Sequence, residues 1–212
     1  MNTIDYLQKE IPAIEAKINY TFHDRSLLVL AFIHRSYINE HRDVLQHNER
    51  LEFLGDSILG LLTAEYLYRN FPSYPEGDLS YLRSRLVEAS SCVSFVHKID
   101  IGKYILLGKG ERMNDGRGRE SILADLLEAI IGAIYLDGGL EATRRFIFDN
   151  FMEEIQATLK MPLSNWKAIL QDYCQKKYQQ PPHYQVLEES GPDHSKNFVI
   201  AVIVADKEYG RG

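Results

Sequence analysis

Apolar residues recur at three- and four-residue spacing up to about residue 158, the period of helices that bury one face. The spacing predicts helices near residues 4–17, 25–40, 48–70, 79–97, 121–136 and 140–159. Turn-forming clusters punctuate them: Pro72-Ser73-Tyr74-Pro75-Glu76-Gly77, Gly108-Lys109-Gly110, Asp115-Gly116-Arg117-Gly118 and Asp137-Gly138-Gly139. After Met161-Pro162 the texture changes. One more helix, 166–178, ends at Gln179-Gln180-Pro181-Pro182 and is followed by two strand-like runs, 184–189 and 197–204. The second run alternates, with Phe198, Ile200, Val202 and Val204 on one face, and Gly191-Pro192-Asp193-His194 forms the turn between the two. The pattern predicts an all-α domain over 1–158, a linker over 159–164 and an α+β domain over 165–212. Residues 207–212 look like the start of a third strand, so the second domain is expected to be incomplete.

Composition keeps this picture within soluble globular proteins. Of 212 residues, 45% are hydrophobic and 25% charged, which excludes disorder as the main state. No apolar run is long enough to span a membrane, because Asp125 and Glu128 interrupt the longest one. The N-terminus lacks the basic and apolar regions of a secretory signal. Cys92 and Cys174 lie far apart in helical stretches and read as structural thiols of a reducing compartment, which points to the cytoplasm. No Cys/His pair has ligand spacing, which argues against zinc. Net charge is −6, from 24 basic and 30 acidic residues, an unpromising sign for a nucleic-acid binder. Residues 161–212 are balanced at 6 against 6, so the acidic excess lies wholly in the helical domain.

Part of that excess occupies positions where charge is costly. In Asn48-Glu49-Arg50-Leu51-Glu52-Phe53-Leu54-Gly55-Asp56-Ser57, residues 49, 52 and 56 fall within about 60° of one helix face. Asn48 is placed to cap this helix, and Glu49 sits in the first turn, where the dipole favours anions. Gly55 costs roughly 0.8–1 kcal/mol against alanine, so its use is to admit another backbone closely. The helix beginning Ser121-Ile-Leu-Ala-Asp125-Leu-Leu-Glu128-Ala129 is apolar nearly all round and should be buried, yet Asp125 and Glu128 share a face with Gly132. Two readings follow. The acids pair with arginines such as Arg50, Arg83 or Arg85, or they bind a divalent cation. Oxygen-only ligands suit Mg²⁺ or Mn²⁺, and such a cation serves phosphodiester hydrolysis.

At these residues the chain resembles the ribonuclease III family. Asn48 to Ser57 is similar to its signature helix. Four further motifs follow the family's order: Leu30-Ala-Phe-Ile-His34-Arg-Ser-Tyr37, Pro75-Glu-Gly-Asp-Leu-Ser80, Leu107-Gly-Lys-Gly110 and Ser121 to Ala129. Residues from Asn165 onward resemble a double-stranded-RNA-binding domain. Ile33 departs from the family, which usually carries a small hydroxyl residue there. His34 reads as a hydrogen-bonded core histidine, and no Ser-His-Asp arrangement is suggested.

The resemblance implies an all-α ribonuclease III fold followed by an α-β-β-β-α RNA-binding domain that here lacks its C-terminal helix. It implies Mg²⁺-dependent cleavage of double-stranded RNA by a metal-activated water, with Mn²⁺ as substitute and no organic cofactor. The products expected are 5′-phosphate and 3′-hydroxyl ends with short 3′ overhangs, in the processing of ribosomal and messenger RNA precursors. Glu52, Asp56, Asp125 and Glu128 would be the catalytic acids, with Glu52, Asp125 and Glu128 as the metal ligands. Glu49 and Glu76 match acidic positions lining the cleavage groove. Gln171 and Pro192-Asp193-His194 match positions that touch the RNA minor groove, with Lys176 and Lys177 adding charge, and the absent helix implies weakened affinity. Family members are homodimers, which makes Phe53, Leu54 and Ile58 contact candidates. A non-catalytic RNA-binding protein would lack one or more of the four acids, and a small-nucleotide phosphohydrolase would have no use for the segment after Asn165.

Overall fold

A computed structural model describes residues 3–41, 43–113, 118–160, 166–191 and 196–212. The chain divides into two compact units, Met1–Pro162 and Leu163–Gly212. The first is helical: α1 (Ile4–Ile18), α2 (Arg25–Ala31), α3 (Arg35–Ile38), α4 (Glu49–Asn70), α5 (Glu76–Val87), α6 (Ala89–Ile99), α7 (Lys109–Met113) and α8 (Arg119–Lys160).

Its core is built where α4 meets α8. Leu59, Leu62, Leu126, Leu127, Ile130, Ile131 and Ile134 are buried there, as the all-apolar pattern of the second helix predicts. Two glycines set the spacing between the helices. A Cβ on Gly55 would fall on the carbonyl of Glu128, and one on Gly132 on the carbonyl of Leu51. Backbone therefore lies against backbone, the close approach anticipated at Gly55. Farther along α8, Phe151 stacks on Phe95 of α6 with centroids 4.4 Å apart.

Four expected helices are divided or joined differently. The stretch 25–40 breaks after Ala31, because residues 32–34 hydrogen-bond elsewhere. Leu106 N–H donates to Phe32 O (2.8 Å), His34 N–H to Leu106 O (3.1 Å) and Asn48 N–H to Ile33 O (2.9 Å). The stretch 79–97 breaks at Glu88, whose backbone is extended and whose carboxylate accepts from Ser90 Oγ at 2.7 Å. A side-chain bond of this kind competes with helix continuation. The two helices flanking Asp137-Gly138-Gly139 instead abut in α8, with one break at Gly139 (φ 75°).

Asp137, beside that break, anchors α8 to the start of α2. Its carboxylate, only 2% exposed, accepts from Tyr20 Oη (2.6 Å), His23 N–H (3.0 Å) and Asp24 N–H (2.7 Å), and lies 3.1 Å from His23 Nδ1. Burial alone would raise its pKa. These donors outweigh burial and hold it down, at about 2.

The second unit contains α9 (Trp166–Tyr178) and an antiparallel sheet, β1 (His183–Ser190), β2 (Asn197–Val204) and β3 (Lys207–Arg211), in that order. Tyr184 pairs with Val202 and Val186 with Ile200, which puts them on the apolar face read from β2. Cys174, Ala201 and Val204 are buried, whereas Tyr184, Val186, Phe198 and Ile200 remain exposed. Helical domain and three-stranded unit together agree with the expected fold class.

Candidate active site

The close approach of α4 and α8 brings their charged faces together. One carboxylate oxygen from each of Glu52, Asp125 and Glu128 lies within 4.8 Å of the others, and all three residues are half-buried. Among the described residues, no cation is found to offset them. Burial, then Asp125, Glu49 and Asp56, raise the pKa of Glu52. Burial, then Glu49, raise that of Asp125. Glu128 is pushed up to about 7 by burial and then by Asp56, Asp125 and Glu52. An ion-paired carboxylate would move the other way, so the arginine-pairing reading does not describe these three. Asp56 is exposed, one turn beyond Glu52 on α4, and its charge is felt at Glu128.

Three oxygen donors that repel one another inside a half-buried cluster fit a divalent cation of the Mg²⁺ or Mn²⁺ type. Behind the cluster, Cys92 is buried, and its thiol is pushed up to about 12 by burial and the same acids, so it stays protonated. Glu52 and Asp125 open into a cavity of about 480 Å³ that Glu49, His34, Arg35 and Asn48 also line. Glu111 of α7 and Ser121 of α8 line it as well. A larger hollow of about 590 Å³, between α1, α2 and residues 43–46, holds Asp43 as the only acid among its described lining residues.

A family model described as Ribonuclease-III-like matches residues 24–155, and one described as Double-stranded RNA binding motif matches residues 166–212. A protein of Protochlamydia amoebophila named Ribonuclease 3 is 68% identical over all of this chain and 88% of its own length. The chain belongs to the ribonuclease III family. Membership bears out the enzyme class expected from the sequence, an endoribonuclease of the ribonuclease III type. Ribonuclease 3 of Natranaerobius thermophilus is 43% identical, over 96% of this chain and 88% of that protein. Among solved structures, the nuclease domain of ribonuclease III from Campylobacter jejuni is similar over 73% of this chain and 99% of its own, at 38% identity and a TM-score of 0.61. Dicer from Pichia stipitis is similar over 91% of this chain and 86% of that one, at 26% identity and a TM-score of 0.51.

Within this ribonuclease III chain the expected site residues fall in several places. Glu52, Asp125 and Glu128 converge, Asp56 lies beside them, and Glu49 lines the same cavity, 3.3 Å from Arg35. Glu76 does not join them. It is exposed at the start of α5, accepts from Ser80 Oγ at 2.6 Å, and lines a separate hollow with Leu61 and Tyr68. Gln171 is exposed on α9, where Lys176 pairs with Asp172 at 2.7 Å and Lys177 lies over the Tyr173 ring. Pro192, Asp193 and His194 lie outside the described residues.

Two local expectations are corrected. Asn48 makes no side-chain cap; its amide donates to Ala31 O (3.3 Å) and fastens the start of α4 to the end of α2. His34 is hydrogen-bonded, but it is half-buried at the cavity and not in the core. Glu111 was missed altogether. Its signal was its place directly after the Gly108-Lys109-Gly110 turn, which carries it to the cavity.

Proposed function

We propose that the chain is a divalent-cation-dependent endoribonuclease that cuts double-stranded RNA, with Mg²⁺ as cation and Mn²⁺ as substitute. The observation that carries this reading is the convergence of Glu52, Asp125 and Glu128, uncompensated by any cation among the described residues, in a member of this family. A cation held there supplies an activated water and neutralises charge developing at the phosphodiester. Glu52, Asp125 and Glu128 hold it. Asp56, one turn along α4, orients the attacking water or the departing oxygen and holds its proton. Glu49 lines the path of the strand toward the acids. The products are 5′-phosphate and 3′-hydroxyl ends with short 3′ overhangs, and the setting is ribosomal and messenger RNA processing in the cytoplasm. No described helix is long and apolar enough to cross a membrane.

The enzyme works as a homodimer in this reading. Phe53, Leu61 and Tyr68 form an exposed stripe along α4, with Phe53 77% and Tyr68 75% exposed. Exposed apolar side chains on one helix face suit a second copy. Leu54 is half-buried at its edge, whereas Ile58 is only 6% exposed and serves the core. A related Campylobacter jejuni nuclease domain is described as having a region involved in dimer formation. Glu76 shares a hollow with Leu61 and Tyr68, so pairing on the stripe places it at the interface, away from its own chain's acids. The second unit supplies duplex binding through Gln171, residues 192–194 and the lysines of α9, reading the shape of the RNA helix.

The test is incubation with a long end-labelled RNA duplex and a matched single strand, in Mg²⁺, Ca²⁺ or chelator. Cutting of the duplex alone, in Mg²⁺ alone, is expected. Retention of the duplex without cutting in all three conditions would contradict the nuclease reading and favour a binding protein.

A further inference from the structure

Two sequence motifs not used by the cation site, around His34 and around Gly108, meet in the fold and hold one side chain. Ser36 N–H donates to His34 Nδ1 at 3.2 Å, and Ser36 Oγ lies 2.8 Å from the same nitrogen. Gly108 N–H donates to Ser36 Oγ at 2.9 Å. A Cβ on Gly108 would meet the carbonyl oxygen of Ser36 at 2.6 Å, so glycine is what permits this approach.

These contacts fix where the imidazole carries its proton. A backbone N–H only donates, so Nδ1 must accept from Ser36. Ser36 Oγ accepts from Gly108, and with Nδ1 accepting, its own hydrogen points at that nitrogen. The backbone N–H requires an unprotonated Nδ1, the hydroxyl is compatible with it, and a neutral imidazole then carries hydrogen on Nε2. Burial also holds the ring below its ordinary pKa, despite Glu111 and Glu49 nearby. Nε2 has no protein partner among the described residues, and His34 lines the cavity into which Glu52 and Asp125 open.

We propose that His34 is a substrate contact of this cavity, donating its fixed Nε2–H to an oxygen of the RNA sugar–phosphate backbone beside the cut. The proposal rests on the nuclease reading above. A neutral donor suits this cavity because it binds a backbone oxygen without pairing with the carboxylates that hold the cation. Arg35, the cation on the same wall, is already engaged with Glu49.

The test compares the full wild-type chain with His34→Asn. Asparagine can still accept the Ser36 N–H as a helix cap, but it places no donor where Nε2 stands. One lost hydrogen bond predicts a KM for RNA duplex raised about five- to tenfold, with kcat within about twofold and an unchanged melting temperature. An unchanged KM overturns the proposal, and so does a kcat loss at unchanged KM, which would place His34 in the chemical step. If the variant melts early, ring-nitrogen NMR of the wild type decides. Nδ1 is expected without hydrogen, and the Nε2–H signal is expected to move when duplex is added in Ca²⁺. A hydrogen on Nδ1, or a signal that stays put, overturns the proposal. Duplexes with 2′-deoxy sugars at the cut separate the acceptors: the gap between wild type and variant closes for a 2′-hydroxyl and persists for a phosphate. A wild type that neither binds nor cuts duplex fails the nuclease reading itself, whereas a cutting wild type matched by the variant fails only the role of His34.

Discussion

Asp137 and Glu128 lie on the same helix, and both carboxylates are withdrawn from water, yet their environments are opposite. Asp137 is surrounded by donors from Tyr20, His23 and Asp24, which hold its pKa at about 2. Glu128 is surrounded by other acids, which with burial push it up to about 7. A buried carboxylate that the chain itself satisfies is a structural tie. One that the chain leaves repelled by its neighbours is, in the proposed reading, the place for an outside cation. The cost of the second arrangement falls on the folded state, and a bound cation would recover it.

Removing the two carboxylates separates these roles. Glu128→Gln is expected to lower duplex cleavage by about a thousandfold or more, beyond the ~10–100-fold typical of residues behind a metal ligand. Duplex retention in Ca²⁺, read by gel shift, should survive, since no phosphate contact is lost. Loss of retention and cleavage together would make Glu128 structural, like Asp137.

Gly55→Ala tests what brings the acids together. Its Cβ has to displace the backbone at Glu128, which predicts a loss of about 3 kcal/mol in urea denaturation. Mg²⁺ binding should weaken with it, while the acid-side behaviour of Asp137 stays unchanged.

Asp137→Asn should cost about 2 kcal/mol, because donors aimed at a carboxylate lose their charged acceptor. The pH dependence has a definite sign. The folded pKa, about 2, lies below an unfolded value near 3.9, so this stability is fully present above about pH 4 and is lost as pH falls toward 2. The variant should lack that part of the acid-unfolding limb.

The smallest expected effect runs the other way. In chelator at pH 8, Glu128→Gln should be more stable than wild type by about 1–2 kcal/mol, since it removes one of the mutually repelling charges. A variant that instead loses stability there would erase the contrast with Asp137.

The acid cluster was legible in the sequence because it breaks a rule within a short stretch. Asp125 and Glu128 interrupt an apolar helix, and Glu52 shares a helix with a glycine of no local use. Asp137 was not legible, because its donors lie more than a hundred residues away and Asp-Gly-Gly reads as an ordinary turn. The same holds for the break after Ala31, which depends on Leu106, and for Asn48, whose amide serves Ala31 in place of its own helix. Helical period records which face is buried, but not which distant backbone group will claim a local donor. The Gly108 motif was visible as a turn, while its purpose, holding Ser36 against His34, required the two segments to meet.

The most direct measurement is the melting temperature of wild type and Glu128→Gln at pH 5 and pH 8, with Mg²⁺ and with chelator. The folded pKa of Glu128, about 7, stands above an unfolded value near 4.3, so its stabilising contribution is present at low pH and lost as pH rises through 7. Without metal, the wild type should therefore melt higher at pH 5 than at pH 8, and Mg²⁺ should restore most of the difference at pH 8 while doing little at pH 5. Glu128→Gln should show a small pH difference and little response to Mg²⁺. Equal stabilisation of wild type and variant by Mg²⁺ at pH 8 would contradict the assignment of these carboxylates as the cation site.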